Sequence, residues 1–552
     1  MVILFGEIMN KKCSSLFVIA LNVALLSHSA NGADMKPDSA LPPTAAHPYA
    51  IDKIRTPVPE PSPRINGAKV VGVRPGAPLH HQIAVSGQRP LIFKAKNLPE
   101  GLTLDTAKGQ LKGSIAKAGS YPVSLTAQNS VGEATAILRI EVGEEICLTP
   151  PMGWNSWYVF SESVSQDDVK AMAEAMVKSG LADHGWSFIN IDDCWQGARG
   201  GKYKALQGNE RFPNMQQLCE DVHGLGLKIG IYSTPWMGSY AGFRGGSCLD
   251  ENGDMESKAV PLQERLQPNQ VFGRYPGSID RKLNVVGPAW FCDADAKQWA
   301  EWGFDFVKYD WNPNDIPTTR RIAEGLRASG RDIILSLSNS APFENAEELS
   351  KLAQLWRTTG DIHESWKSIN AIGFSQDKWQ KFTRPGHWND PDMLQVGMIG
   401  TPNRKNAVFH RTKLTPDEQY TQMSLWCLLG APLLLSCDLR QLEPFTLNLL
   451  CNDEVLAINQ DPLGRPAKKC ATQGVGEMWS RELEDGSVAV GIFNRDDQDQ
   501  KVPFDSQALF GAGRYLVRDL WRQKDCLPNS GETVIALEVK AHGVELLRVT
   551  KK

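Results

Sequence analysis

The segment Phe188-Ile-Asn-Ile-Asp-Asp-Cys-Trp195 decides the fold, because a short apolar run ends there in two acidic residues. Seven more short apolar runs lie between residues 152 and 437, and helical patterns separate them. Strands that alternate with helices predict a parallel sheet, and eight such βα units predict a (β/α)8 barrel. The predicted strands are 152–155, 188–192, 228–232, 305–310, 333–338, 355–359, 387–392 and 433–437.

The patterns between these runs support this prediction. Apolar residues recur every three or four positions over 169–177, and Ser165 with Asp168 forms a predicted capping box before them. Thr415-Pro416 predicts the start of another helix. A doubly wound open sheet is the alternative, but no glycine-rich phosphate-binding turn follows the first strand.

Smaller segments flank the predicted barrel, which covers 146–462 and contains an insertion at about 246–290. Proline-rich residues 34–65 predict an extended tether. Alternating apolar and polar residues predict a small all-β domain over 66–145 and an antiparallel β-domain over 463–552. We expect 66–145 to act as a spacer, with carbohydrate binding as the alternative.

The composition excludes several classes of protein. The 552 residues include 59 Lys and Arg against 63 Asp and Glu, so the net charge is −4. This balance gives no basic surface for a nucleic acid. With 41% hydrophobic residues, each predicted domain can bury a core. The ten histidines form no His-Glu-x-x-His run, so we expect neither a metal nor another cofactor.

The N-terminal residues predict export. Lys11 and Lys12 precede an apolar stretch over 16–26 and then small residues, which is typical of a signal peptide at 1–33. Translation could also start at Met9. No other run is long enough to span a membrane, so the mature chain is expected in the periplasm, at the cell surface or outside the cell. Disulfides are permitted there, and Cys470 and Cys526 are a candidate pair.

Acidic residues follow several predicted strands. The second strand ends at Asp192 and is followed by Asp193, and the fourth ends at Asp310. The sixth leads into Asp361, and the seventh carries Asp390 and Asp392. Barrel enzymes build their active sites at these carboxyl ends. We therefore expect the acids to converge in one site. Two basic residues, Lys308 and Arg357, are candidate partners that keep the carboxylates ionised.

Aromatic residues beside these acids favour a sugar. Of 16 tryptophans, 14 lie between 154 and 426. Indole rings pack on the C–H faces of a pyranose, and cleavage of a glycosidic bond needs two carboxyl groups. The residues alone do not choose that pair, and a non-catalytic sugar-binding protein is the alternative from another class. The tryptophans expected to frame the pocket are Trp154, Trp195, Trp311 and Trp388.

An ordered set of motifs resembles glycoside hydrolase family 27, which contains α-galactosidases and α-N-acetylgalactosaminidases. The resemblance implies a retaining mechanism, with Asp310 as nucleophile and Asp361 as general acid/base on the barrel, and a C-terminal β-sandwich. It also implies sugar contacts from Trp154, Asp192, Asp193, Tyr232, Lys308, Arg357 and Asp392. The motifs are Leu148-Thr-Pro-Pro-Met-Gly-Trp-Asn-Ser-Trp157, Asn190-Ile-Asp-Asp-Cys-Trp195, Lys308-Tyr-Asp310, Asp361-Ile-His-Glu-Ser-Trp366, Trp388-Asn-Asp-Pro-Asp-Met-Leu394 and Ala457-Ile-Asn-Gln-Asp-Pro-Leu-Gly464.

Some positions depart from the family pattern. Asn312 and Tyr240 stand where the family commonly has a disulfide. After the fifth strand, the small residues Ser338 and Ala341 are similar to the N-acetylgalactosaminidase pattern, whereas the intact Asp192-Asp193 pair argues against a β-L-arabinopyranosidase. We favour an α-galactosidase and keep the other two activities as alternatives. The segment 98–113 resembles the Ig-like modules that precede bacterial glycoside hydrolases.

Overall fold

The computed structural model describes residues 49–253, 283–401, 408–473, 476–526 and 534–552. The predicted signal peptide, the first part of the predicted tether (34–48) and most of the predicted insertion (254–282) lie outside the described residues. The central unit is an eight-stranded parallel sheet. Its strands are β1 Met152–Asn155, β2 Phe188–Asn190, β3 Lys228–Ser233, β4 Phe306–Asp310, β5 Ile334–Ser338, β6 Leu355–Arg357, β7 Trp388–Asp390 and β8 Leu433–Leu435.

The sheet closes into a barrel. Its strands pair in the order β7-β6-β5-β4-β3-β2-β1-β8. A parallel bridge between Leu394 and Leu435 joins the end that follows β7 to β8, and Leu394 N–H donates to the Leu434 carbonyl at 2.8 Å. This closure confirms the predicted barrel and excludes the open sheet. All eight predicted strands are confirmed, and four of them (β2, β6, β7 and β8) end two residues earlier than predicted because the chain bends into the following loop.

Helices surround the barrel. Both predicted helix starts are confirmed, with capping boxes at Ser165 and Thr415. Val177, expected on the buried face of its helix, is 39% exposed. No helix among the described residues is long and apolar enough to cross a bilayer. The barrel helices are Trp157–Phe160, Gln166–Lys178, Met215–Gly224, Cys292–Trp302, Ile316–Ala328, Ala346–Leu352, Trp366–Gly373, Pro416–Leu429, Pro444–Leu450 and Asp453–Asn459, with shorter 3-10 turns at Ile51–Lys53, Ser161–Ser163, Leu181–His184, Phe343–Asn345, Gln376–Phe382 and Leu439–Gln441.

Three hairpins extend the loops of the barrel. Ser247–Cys248 pairs with Ala289–Trp290 and forms the base of the predicted insertion after β3. The other two pair Gln196–Gly200 with Ala205–Gly208, after β2, and Met398–Thr401 with Val408–Arg411, after β7. All three follow the carboxyl ends of strands, so the additional chain lies on the face where barrel enzymes place their sites.

Apolar side chains fill the amino-terminal end of the barrel. Phe188, Phe306, Ile334 and Leu355 begin or nearly begin their strands and form one buried cluster with Ile146. Residues two positions further along a strand face the same side. The barrel interior therefore changes from apolar at this end to polar at the carboxyl end.

The N-terminal domain is an Ig-like arrangement of two sheets, as predicted. One sheet has four strands and the other three, and their inner faces share a core that includes Leu111, Val123 and Ile140. A short pair, Arg64–Ile65 with Val85–Ser86, adds to the domain. The sheets comprise Val70–Val73, Glu133–Val142, Gly119–Gln128 and Ile92–Lys96, and Pro78–Gln82, Gln110–Ser114 and Leu102–Asp105.

This domain packs on the amino-terminal face of the barrel. Arg74 binds Asp332, just before β5, through its backbone N–H at 2.8 Å and its guanidinium at 2.5 Å. Near the end of the domain, Glu145 binds His387, just before β7, at 2.8 Å. The contacts lie at the end of the barrel opposite the carboxyl ends of the strands. The expected spacer is thus a docked module.

The described part of the predicted tether is also docked, which corrects the expectation for 49–65. Tyr49 packs edge-on against Phe445 with ring centroids 5.6 Å apart. Arg55 binds Asp417 at 2.7 Å and donates to the Val544 carbonyl at 3.0 Å. The alternating prolines lack backbone N–H donors for a sheet ladder, and the segment pairs with a strand only at its end, Arg64–Ile65. Its other side chains fix it to the barrel and the C-terminal domain.

The C-terminal domain is the predicted antiparallel β-sandwich. The helix Pro416–Leu429 is buried between barrel and sandwich, where Trp521 Nε1 donates to Ser424 Oγ at 2.9 Å. A six-stranded sheet faces a two-stranded one, and a helix, Ser506–Phe510, connects them. In sheet order the strands are Lys468–Gln473, Gly476–Glu482, Val488–Asn494, Val544–Lys551, Tyr515–Asp519 and Lys524–Cys526, and the second sheet has Gln500–Asp505 and Val534–Val539.

The candidate disulfide between Cys470 and Cys526 is wrong. Both thiols are free. Their strands, Lys468–Gln473 and Lys524–Cys526, are the two outer strands of the six-stranded sheet, with four strands between them. A sheet spaces adjacent strands about 4.8 Å apart, so the two cysteines lie far beyond the Cα separation that a disulfide needs.

Candidate active site

The carboxyl ends of four strands bring the predicted acids together. Lys308 and Asp310 are two positions apart on β4, so both side chains face the barrel interior. Asp192 follows β2, Asp361 follows β6, and Asp392 follows β7. Parallel strands of a barrel end on one face, and these acids therefore share one pocket.

Lys308 links the acids of β2 and β4. Its Nζ lies 2.8 Å from Asp192 Oδ2 and 3.9 Å from Asp310 Oδ2. Asn155, at the end of β1, donates to the same Asp192 oxygen at 2.9 Å. Burial disfavours the ammonium, but Asp192 and Asp310 outweigh it and hold the pKa of Lys308 above its usual range. Lys308 therefore stays charged and attracts both carboxylates.

Arg357 plays the same part for the acids after β6 and β7. Its Nη2 lies 2.8 Å from Asp392 Oδ2 and 3.2 Å from Asp361 Oδ1. Asp392 Oδ2 also accepts the backbone N–H of Ile362 at 2.8 Å. The side chain of Asp392 is 3% exposed, whereas that of Asp361 is 47% exposed. Asp361 is thus the acid that an incoming molecule can reach from solvent.

The two candidate catalytic acids differ in protonation. Burial raises the pKa of Asp310 to about 7; the facing carboxylates Asp192 and Asp361 add to the rise and Lys308 opposes it. Burial acts in the same direction on Asp361, but Arg357 and Lys308 outweigh it and leave the pKa of Asp361 below its usual range. Asp310 Oδ1 is buried and has no hydrogen-bond partner among the described residues. Of the two acids, Asp310 is therefore the one whose protonated form is favoured, and Asp361 is the one whose charged form is favoured.

Asp193 lies beside Asp192 but is already held by protein donors. Its Oδ1 accepts from the Gln196 amide at 2.9 Å, and its Oδ2 accepts the backbone N–H of Ala241 at 3.0 Å. Burial raises the pKa of Asp193. The carboxyl group joins the end of β2 to the loop after β3.

Tyr232 and Ser338 lie beside the predicted acids. Tyr232 is the penultimate residue of β3, and its hydroxyl is buried and has no partner within the described ranges. Its ring lies 5.5 Å from Lys308 Nζ. Ser338 ends β5 and is paired in register with Asp310. Both are at most 2% exposed.

The four tryptophans expected to frame the pocket are buried, and the positions of Trp311 and Trp388 correct that expectation for these two. Trp154, Trp195 and Trp388 are 0% exposed and Trp311 is 2% exposed. The indole N–H groups of the first three donate to backbone carbonyls at 2.8–2.9 Å. Trp388 begins β7 and donates to the Cys147 carbonyl, so it belongs to the closed end of the barrel. Trp311 points away from Asp310 because neighbouring strand residues face opposite sides.

Two site residues escaped the sequence-based prediction. Asp390 and Asn155 line an internal cavity with Lys308, Arg357 and Asp392. Burial raises the pKa of Asp390 to about 6, with Arg357 opposing the rise. Both residues belong to motifs quoted above, and each is the last residue of its strand, so strand-end position was the available signal. Among the described side chains, no group of three or more His, Cys, Asp or Glu is arranged to hold a metal ion.

Two positions of the usual family disulfide are filled by other side chains. Tyr240 packs edge-on against Trp236 with ring centroids 5.0 Å apart. Asn312 is exposed and its amide lies 3.4 Å from the Asn339 carbonyl. The loop after β3 is therefore held by aromatic packing and by Asp193.

Comparisons with protein families match most of the described chain. The alpha galactosidase A model matches residues 149–260 and 275–461. The model of the alpha galactosidase C-terminal beta sandwich domain matches 473–549, and an Ig-domain model matches 63–143. These segments correspond to the barrel, the sandwich and the docked N-terminal module.

Individual relatives and solved structures point to the same family. Alpha-galactosidase 2 of Arabidopsis thaliana is 32% identical over 424 residues, covering 75% of this chain and 92% of that protein. Alpha-N-acetylgalactosaminidase of Mus musculus is 32% identical over 388 residues, covering 65% and 79%. A Bacteroides fragilis protein provisionally assigned as an α-galactosidase superposes with a TM-score of 0.76 at 30% identity, covering 89% and 98%. A β-L-arabinopyranosidase of family 27 from Geobacillus stearothermophilus gives a TM-score of 0.61 at 28% identity, covering 73% and 96%.

Since the family model spans more than half of the chain, this protein belongs to the alpha galactosidase A family, glycoside hydrolase family 27, and is a glycoside hydrolase acting on a carbohydrate.

Proposed function

We propose that the enzyme is an exo-acting, retaining α-galactosidase. The observation that carries the proposal is the arrangement of two acids at the carboxyl ends of the barrel strands. Asp310 lies beside Lys308, and Asp361 lies beside Arg357. The curated relatives named α-galactosidase support galactose as the sugar. A non-catalytic sugar-binding protein is disfavoured because both acids are present.

In the proposed reaction, the Asp310 carboxylate attacks the anomeric carbon while Asp361 gives its proton to the departing oxygen. A glycosyl ester of Asp310 forms and the aglycone leaves as an alcohol. Asp361 then takes a proton from water, which attacks the anomeric carbon and releases Asp310. Two inversions retain the α configuration. Lys308 stabilises the Asp310 carboxylate when it is released.

The same proposal gives the other residues their roles. Asp192 has one oxygen bound by Lys308 and Asn155, and it can accept hydroxyl groups of the non-reducing sugar. Tyr232 has a hydroxyl that finds no partner among the residues the structure describes, and a bound sugar can supply one. The groups that contact the sugar are packed against Asp193, Trp154 and Trp195. The segment that carries Asp361 is held by Asp392, which is itself bound by Arg357.

One observation favours a second sugar. Ser338 and Ala341 are small residues near the end of β5, where an acetamido group on the sugar would need room. The Mus musculus relative is an α-N-acetylgalactosaminidase. The Geobacillus structure adds β-L-arabinopyranoside as a third candidate substrate.

A substrate panel tests the choice of sugar. We expect the aryl α-galactoside to have a kcat/KM at least about tenfold above those of the aryl α-N-acetylgalactosaminide and β-L-arabinopyranoside, since one substituent in a shaped pocket is worth about 10–200-fold. The three p-nitrophenyl glycosides, assayed side by side, give the comparison. No turnover of the α-galactoside would reject the favoured sugar and leave the family unaffected.

The nucleophile is tested by Asp310→Asn. An amide cannot form the glycosyl ester, so kcat should fall by on the order of 10³-fold or more, while the melting temperature stays close to that of the wild type. Trapping with a 5-fluoro galactosyl fluoride should label the peptide that contains Asp310 in the wild-type enzyme. Asp167→Asn, at an exposed helix start, is the control and should keep full activity. Label on another acid, or substantial residual activity, contradicts the assignment.

The protonation of the pair predicts the pH profile. The proposed catalysis needs Asp310 ionised and Asp361 protonated. When the pair carries one proton, this is the less populated of the two arrangements, because the pKa values favour the proton on Asp310. The pair carries one proton at pH values above the lowered pKa of Asp361 and below the pKa of Asp310, which burial raises to about 7. We therefore expect kcat/KM to form a plateau on the acidic side and to fall above about pH 7. A measured profile that stays flat to pH 9, or falls from pH 5, contradicts this expectation.

We also infer that the enzyme is exported. The basic, apolar and small-residue regions within 1–33 support a removable signal peptide. Cell fractionation followed by N-terminal sequencing should find the mature chain outside the cytoplasm, starting near residue 34. An uncleaved chain confined to the cytoplasm would reject export.

A further inference from the structure

Strand β7 ends at a second buried acid that the proposed mechanism does not use. Asp390 is 4% exposed and faces the barrel interior, where it lines an internal cavity with Lys308, Arg357 and Asp392. A buried carboxyl group without a role is costly for folding, because burial removes it from water. Its contacts indicate what it does.

Asp390 holds the turn at Asp392. Its Oδ1 accepts the Asp392 backbone N–H at 2.8 Å. Asp392 has a φ of 79°, a left-handed conformation that is unfavourable for a residue other than glycine. Such a conformation persists where neighbouring groups fix it, and the Asp390 carboxyl group supplies a hydrogen bond at this turn.

Asp392 in turn holds the segment that carries Asp361. Its Oδ2 accepts the Ile362 N–H at 2.8 Å and binds Arg357 at 2.8 Å. Ile362 directly follows Asp361 in a segment without regular secondary structure. The side chain of Asp361 is half-exposed and lies 3.2 Å from the Arg357 guanidinium. The hydrogen bonds therefore run from Asp390 to Asp392 and from Asp392 to the backbone beside Asp361.

We propose that Asp390 is a positioning residue that aligns Asp361 for proton transfer through the Asp392 turn. The inference rests on the proposed role of Asp361 as general acid/base. An alternative is that Asp390 only balances the charge of Arg357, its register partner on β6. The two alternatives predict different activities for a variant with an uncharged hydrogen-bond acceptor at position 390.

Leaving-group dependence gives the discriminating experiment. A poor leaving group needs a well-placed acid, whereas 2,4-dinitrophenolate departs without one. Asp390→Ala should lower kcat/KM for an alkyl α-galactoside by about 10–100-fold and for the 2,4-dinitrophenyl substrate by no more than about threefold, because general acid catalysis contributes about 10²–10⁴-fold. Asp390→Asn keeps an oxygen acceptor for the Asp392 N–H and should stay close to the wild type with both substrates.

Two further variants secure the result. Asn389→Ala alters the adjacent residue of β7, which faces outward and donates to the Trp379 carbonyl at 2.8 Å; it should leave the leaving-group dependence unchanged. Asp390→Leu fills the buried space without an acceptor and should behave like Asp390→Ala, so it replaces that variant if alanine prevents folding.

The outcomes separate this proposal from the proposed function. An equal loss for both leaving groups in Asp390→Ala or Asp390→Leu would overturn the positioning role. Equal damage in Asp390→Asn and Asp390→Ala would also overturn it and favour charge balance. If the wild type hydrolyses neither α-galactoside, the proposed sugar has failed, and the same series is run on the glycoside that the substrate panel selects.

Discussion

Two cations buried inside the barrel hold the site together. Lys308 joins the acids after β2 and at the end of β4, and Arg357 joins those after β6 and β7. Each cation crosses between strands that are distant in sequence, so the site depends on correct barrel closure. Removing one would leave carboxylates buried without a partner, which is strongly destabilising. The carboxyl groups outnumber the cations, and burial therefore keeps part of the acid cluster protonated.

Strand positions and strand-end acids could be predicted because both depend on local patterns. Apolar runs such as 188–190 and 306–310 define the strands, and a polar residue directly after such a run must lie at the end of the barrel. Exposure could not be predicted in the same way. Trp311 follows Asp310 by one residue and faces the opposite side, and Trp388 begins its strand rather than ending it. The sequence neighbours of an acid are thus poor guides to its spatial neighbours.

Long-range packing explains the remaining errors. Residues 49–65 have the composition of a tether, yet Tyr49 and Arg55 meet partners more than 350 residues away. The Ig-like module docks through Arg74 and Glu145 on loops at the amino-terminal face. A module docked at this face leaves the carboxyl-end loops and the hairpins after β2, β3 and β7 free to shape the proposed substrate pocket.

The proposed reaction needs a proton on Asp361, whereas burial favours the protonated form of Asp310, and the exposure of Asp361 offers a way for a substrate to change that. Asp361 is low in pKa because Arg357 and Lys308 favour its charge while nearly half of its side chain remains in water. A sugar and its aglycone would cover that exposed half. Loss of water disfavours the charged form of a carboxyl group and raises its pKa. Asp310 is already buried, and burial is the main cause of its raised pKa, so a substrate adds little further desolvation there. A substrate hydroxyl that engages Asp192 would weaken the smaller contribution from repulsion between the carboxylates. On the proposed mechanism, we therefore expect binding to shift the proton from Asp310 toward Asp361, where the leaving oxygen needs it.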